Sequence, residues 1–111
     1  MKGFEFLDQE VGLEYCAGDE EIYREILEGY LEEDRRAELA KCFESGDLAN
    51  YRVNAHAIKS TSLTIGATEL SAKAKALEYA AADGDMDYVR ANNDELVAMY
   101  SDILDKIRAA L

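Results

Sequence analysis

Positions 48, 51, 55, 58, 62 and 65 of this chain hold Leu, Tyr, Ala, Ile, Ser and Ile, so the steps between them run 3, 4, 3, 4, 3. That rhythm lines side chains along one stripe of an α-helix and would scatter them over both faces of a strand. It recurs over Ala67, Leu70, Ala74, Leu77 and Ala81, and over Val89, Asn93, Leu96, Tyr100, Ile103 and Ile107. An earlier run opens with Ile22, Ile26, Leu27, Tyr30 and Leu31, loses phase near Asp34–Arg36, and resumes with Leu39 and Phe43. The slip predicts a bend or a change of face. Each segment has one apolar stripe and polar flanks, the pattern of helices that bury their stripes against one another.

Glycine punctuates these segments and proline is absent. Gly18, Gly46, Gly66 and Gly84 each fall where a helix would end, and Asp19, Asp47 and Asp85 follow three of them in N-cap positions. At the fourth, Gly66 is read as the cap with Glu69 at the third helical position. Gly29 lies inside a periodic run and reads as a tolerated helix glycine. The predicted elements are a short helix over about 6–16 and longer ones over about 20–45, 47–64, 67–82 and 85–110. Connections of two to four residues make neighbours antiparallel. The fold class is therefore all-α: one domain over residues 1–111, an antiparallel up-down four-helix bundle with a short extra N-terminal helix. Leu48, Tyr51, Ala55, Ile58, Leu70, Leu77, Leu96, Tyr100 and Ile103 are its expected core. The likeness of "ESGDLANYRVN" (44–54) to "ADGDMDYVRAN" (82–92) reads as shared turn chemistry, since one approximate copy is too few for a repeat array.

Charge narrows the function. With 24 acids against 12 bases the net charge is −12, which disfavours polyanionic partners: no nucleic acid and no anionic membrane are expected. Cys16 and Cys42 lack metal-ligand spacing and are too few for a disulfide scaffold, so they read as small apolar side chains. The opening "MKGFEFLDQEVG" puts acids where a signal peptide would be apolar, and no apolar run approaches membrane length; a cytoplasmic location is expected. A single histidine without clustered cysteines starts no metal site, and neither a nucleophile-elbow Gly-x-Ser-x-Gly turn nor a glycine-rich phosphate loop is present.

That one histidine, His56, sits 100° round the helix from Ala55, on the flank with Arg52, Lys59, Ser60 and Leu63. Two readings stand: an ordinary surface side chain, or a nucleophile. Charge favours the second. Residues 1–43 carry 13 acids and 5 bases and residues 80–111 carry 7 and 3, yet none of residues 48–68 is an acid. A group that is to bear a phosphoryl anion needs such a face, because nearby carboxylates would repel it. Folding the next helix back brings His56 level with Lys75 and Glu78. Those two either face the imidazole, where a carboxylate on Nδ1–H would leave the Nε2 lone pair free, or form a solvated surface.

The stretch "AHAIKSTSLTIGATELSAKAKALE" (55–78) resembles the signature of the histidine-containing phosphotransfer domain: His-x-x-Lys-Gly, a second Gly six residues on, then Leu and Leu-Glu. The similarity extends over "GDEEIYREILEGYLEE" (18–33) and "SGDLANYRVNAHAIK" (45–59), and so over nearly the whole chain. The resemblance implies a four-helix bundle with an exposed phosphoacceptor on its second long helix. By position His56 is that acceptor, Lys59 the lysine that neutralises phosphoryl oxygens, Glu78 the residue that orients the imidazole, and Gly66 the second glycine. Ser60 departs from the usual Gly, which lets a partner's loops approach, and the proline often found near the first long helix's bend is absent around Arg35.

The implied function is relay of a phosphoryl group between receiver-domain aspartates through a phosphohistidine, with no autonomous enzyme activity and no cofactor on this chain. Mg²⁺ is expected on the partner receiver. The implied partners are response-regulator receiver domains and a hybrid histidine kinase, met by a monomer. The docking face is expected to combine Ile22 and neighbouring apolar residues with Arg52, Ser60, Leu63, Gly66 and Lys75. The alternative is a bundle that docks receivers or other signalling proteins and never carries phosphate.

Overall fold

Three aspartates start helices where the sequence places them. In the computed structural model, which describes residues 1–111, the Asp19 carboxylate accepts from the amides of Glu21 and Ile22, Asp47 from Asn50, and Asp85 from Tyr88. The elements are α1 (Gln9–Tyr15), α2 (Glu20–Glu32), α3 (Arg36–Ser45), α4 (Leu48–Ile65), α5 (Thr68–Ala82) and α6 (Met86–Ala110), with no strand. Gly46, Gly66 and Gly84 close α3, α4 and the α5 turn with positive φ, and each following amide bonds back five residues, Ala67 to Ser62 for example. The two look-alike stretches are thus two copies of one turn.

The expected helix over 20–45 is two helices. It breaks at Glu33–Arg35, and the Tyr100 hydroxyl of α6 enters the gap, accepting from the Arg35 amide (3.1 Å) and donating to the Glu33 carbonyl (3.3 Å). A side chain from another helix therefore satisfies backbone groups that the break leaves without helical partners. The 25-residue α6 spans about 38 Å at 1.5 Å per residue, close to the 40 Å long axis of the molecule. Along it, α2 and α3 form one leg of the bundle; α4 and α5 supply the next two. The early helix is shorter than expected because Asp8 caps it, and residues before it form an arm that buries Phe4 and Leu7.

The core contains Tyr51, Ala55, Ile58, Leu70, Leu77, Leu96 and Tyr100 as expected. Leu48 and Ile103 are only half-buried. Leu48 opens its helix at the bundle's end, and in α6 the stripe steps four residues from Tyr100, so Leu104 fills the core. Cys16 is buried and Cys42 half-buried, neither in a disulfide. At the α4–α5 turn Gly66 has φ +88° and lies under the arm: its carbonyl accepts from the Asp8 amide (2.9 Å), and a Cβ there would come within 2.1 Å of the Asp8 carbonyl oxygen. The cap of α5 is Ala67 without a side-chain bond, so the expected Gly66–Glu69 capping pair does not form. No helix is long and apolar enough to cross a membrane.

Candidate functional site

α4 turns its stripe of Tyr51, Ala55, Ile58, Ser62 and Ile65 inward, which leaves the next position round, His56, at the outer edge beside α5. The two helices run antiparallel and are pinned where Ser71 Oγ donates to the Lys59 carbonyl (2.9 Å). Seven residues further along α5, two helical turns, Glu78 comes level with His56. The imidazole side chain is 58% exposed and the Glu78 side chain 9%.

Glu78 spends both oxygens on α4. Oε2 lies 2.9 Å from His56 Nδ1, and Oε1 lies 2.8 Å from Lys59 Nζ. Burial pushes the Glu78 carboxyl upward, but the bonds from Lys59 and His56 outweigh it and leave its pKa below the ordinary glutamate value. It is therefore ionised near neutral pH and only accepts hydrogen bonds. That settles the proton on the ring: Nδ1 donates, and in the neutral imidazole Nε2 keeps its lone pair. No protein group bonds Nε2, which faces solvent on a stretch without acids. Chemically, the arrangement offers an oriented, accessible ring nitrogen with a free lone pair and a carboxylate behind it.

The expected residues divide. Arg52, Ser60 and Leu63 are exposed on α4 around His56. Lys75 is not in the clamp: its ammonium lies over the Tyr79 ring, 5.7 Å from the centroid, and the cation that meets Glu78 is Lys59, from the same helix as His56. Three residues before Glu78, Lys75 is turned 60° round α5 toward solvent. Gly66 is not on an accessible face either, because the Asp8 backbone covers it, and ten residues along α4 set it about 15 Å from His56. Its role is to let the arm close on the bundle. Ile22 is 43% exposed on the flank of α2.

One feature escaped the sequence. Between α2 and α4 runs a groove of about 320 Å³ lined by Ile26, Gly29, Tyr30, Glu33, Thr61 and Thr64, with Ile65 at its floor. Ile22 lies one turn before Ile26 on the same flank of α2. Gly29 lines it with open space around it, since nothing lies within 4 Å of where its Cβ would stand, which fits a tolerated helix glycine. The signal was the 22, 26, 29, 33 spacing, a second stripe beside the core stripe. No three His, Cys, Asp or Glu side chains converge to hold a metal.

The family model described as Hpt domain matches residues 21–109, which is 89 of the 111 residues and runs from α2 through α6. No curated protein and no solved structure matches the chain.

Proposed function

This chain belongs to the Hpt domain family, a phosphotransfer family of two-component signalling, and on that premise we propose that it relays a phosphoryl group between receiver-domain aspartates with His56 as the carrier. The observation that supports this most is the pairing of an exposed imidazole with a buried, ionised Glu78 on Nδ1.

Nε2 attacks the phosphorus of a receiver's aspartyl phosphate, the P–O bond to the aspartyl oxygen breaks, and the aspartate leaves as a carboxylate. No proton needs to move. The phosphorylated ring keeps its hydrogen on Nδ1 and carries a positive charge, which the Glu78 carboxylate at 2.9 Å stabilises. Lys59 pairs with the other Glu78 oxygen and has N–H donors left to turn toward the transferring group. The reverse step delivers the phosphoryl to a second receiver. Mg²⁺ and the remaining charge stabilisation belong to the receiver, so this chain has no turnover of its own.

Docking places a receiver over His56, with apolar contacts from exposed Ile22 of α2 and Leu63 of α4 and with Arg52 and Ser60 beside the phosphoryl. The acid-free surface of residues 48–68 fits a partner whose own site is a cluster of aspartates. In the test, the chain is incubated with a receiver carrying labelled phosphate. Label is expected on the wild type and not on His56→Gln, with both binding the receiver. Binding without label on either protein would instead favour a docking module that never carries phosphate.

A further inference from the structure

Four hydroxyls lie on α4 beyond His56, and three are tied down. Thr61 Oγ1 donates to the Ala57 carbonyl (2.9 Å), Thr64 Oγ1 donates to that of Ser60 (2.9 Å), and Ser62 Oγ shares a hydrogen bond with buried Tyr30 (2.8 Å). The fourth, on Ser60, bonds no protein group and is exposed one turn from the imidazole. Side chains four apart on a helix are neighbours, about 5–6 Å between Cβ atoms, and each leans toward the helix N-terminus. Ser60 therefore covers the turn of α4 that begins at His56.

We infer that Ser60 is a phosphoryl-binding residue: its Oγ–H donates to a non-bridging oxygen of a phosphoryl group on His56 Nε2. This rests on the relay reading for the identity of that group. Lys59 is already paired with Glu78, so its charge is partly offset, and an arriving group of about −1.5 to −2 charge has oxygens to spare for donors besides the lysine's remaining N–H groups. Free donors on the same exposed line of α4 are Arg52, one turn before His56, and Ser60, one turn after. The serine hydroxyl stands on a rigid helix before the phosphoryl arrives, so little reordering accompanies the bond. A glycine there would leave that oxygen to water.

The test uses the full chain with N-phosphoimidazole as donor, so that no receiver enters. His56 Nε2 attacks phosphorus, the P–N bond to the donor ring breaks, and imidazole departs; each ring keeps its own N–H, and the exchange is reversible. The equilibrium constant is read by phosphorus NMR at known imidazole concentration. Ser60→Ala and Ser60→Gly both remove the hydroxyl, and each is expected to lower the constant about three- to tenfold, the scale of one ordinary net hydrogen bond, since solvent screens the charge at this exposed position. The helical circular dichroism and the His56 tautomer should stay as in the wild type. Equal constants for the wild type and both variants overturn the inference. So does a change in Ser60→Gly alone, since that assigns the effect to bulk. The relay reading fails on a separate result, a wild-type chain that takes no label from a phosphorylated receiver.

Discussion

Glu78 of α5 accepts from His56 Nδ1 at 2.9 Å across the helix interface, and this single contact decides which ring nitrogen is available for chemistry. The carboxylate is buried and the imidazole exposed, so the partner of Nδ1 is shielded from water while the ring is open to it.

Removing that carboxylate should loosen the tautomer without unfolding the bundle. In Glu78→Ala, nitrogen NMR of the single histidine is expected to show a larger Nε2–H population than in the wild type. Phosphoryl transfer should slow by about ten- to a hundredfold or less, at or below the low end for a group that moves a proton, because a tautomer already populated in water needs only biasing; receiver affinity should be unchanged. An unaltered tautomer and rate would make Glu78 a bystander.

Lys59→Ala should slow transfer and leave a residue of it, because the ammonium stabilises charge and forms no covalent bond. The same variant leaves Glu78 Oε1 without its cation, so the carboxyl pKa should rise toward the ordinary value. Carbon NMR of the Glu78 carboxyl against pH reads this directly; an unmoved titration would contradict the ion pair.

Packing in the core carries its own test. Ile58 and Leu77 are fully buried, and truncating either to Ala should cost about 2–5 kcal/mol in denaturant unfolding. A loss below about 0.5 kcal/mol at both sites, the usual range for surface substitutions, would contradict the packing.

Alkali should unfold the chain through its tyrosines. Burial raises Tyr23 from 10.0 to about 12, and raises Tyr30, Tyr51 and Tyr100 as well. A raised folded pKa means that the folded state holds protons the unfolded chain releases. Stability is then complete below pH 10 and lost as pH rises from there toward the folded values. Phenolate absorbance from these four should appear together with loss of helical signal. Their ionisation near pH 10 in an intact bundle would refute it. At the acid end Glu78 and Asp34 act oppositely: their lowered pKa values give stability present above 4.5 and 3.8, lost as pH falls through the folded values.

Much of this was legible in the primary structure. The 3-4-3-4-3 stripe of α4 fixed which face is buried, and with it the exposed flank that bears His56. Ser62 and Asn93, polar residues on apolar stripes, proved consistent with that reading, since Ser62 bonds the Tyr30 hydroxyl and Asn93 accepts from Tyr51 (2.8 Å each). What periodicity could not supply was direction at the ends of long side chains. Lys59 and Lys75 both lie near Glu78 by spacing, and only the helix rotation decides that Lys59 reaches it. The split at Glu33–Arg35 was visible as a lost phase, but its cause, the Tyr100 hydroxyl, lies 65 residues away along the chain. Gly66 was singled out by position, whereas its contact with Asp8 depends on an arm that has no periodic pattern.

The most direct test asks which atom carries the phosphate. The chain is phosphorylated by a receiver, and the product is examined intact by phosphorus and nitrogen NMR at alkaline pH, where phosphohistidine survives. One phosphoryl group bonded to Nε2 of His56 is the expected result. Label on another residue, label on Nδ1, or no phosphohistidine at all would contradict the proposal.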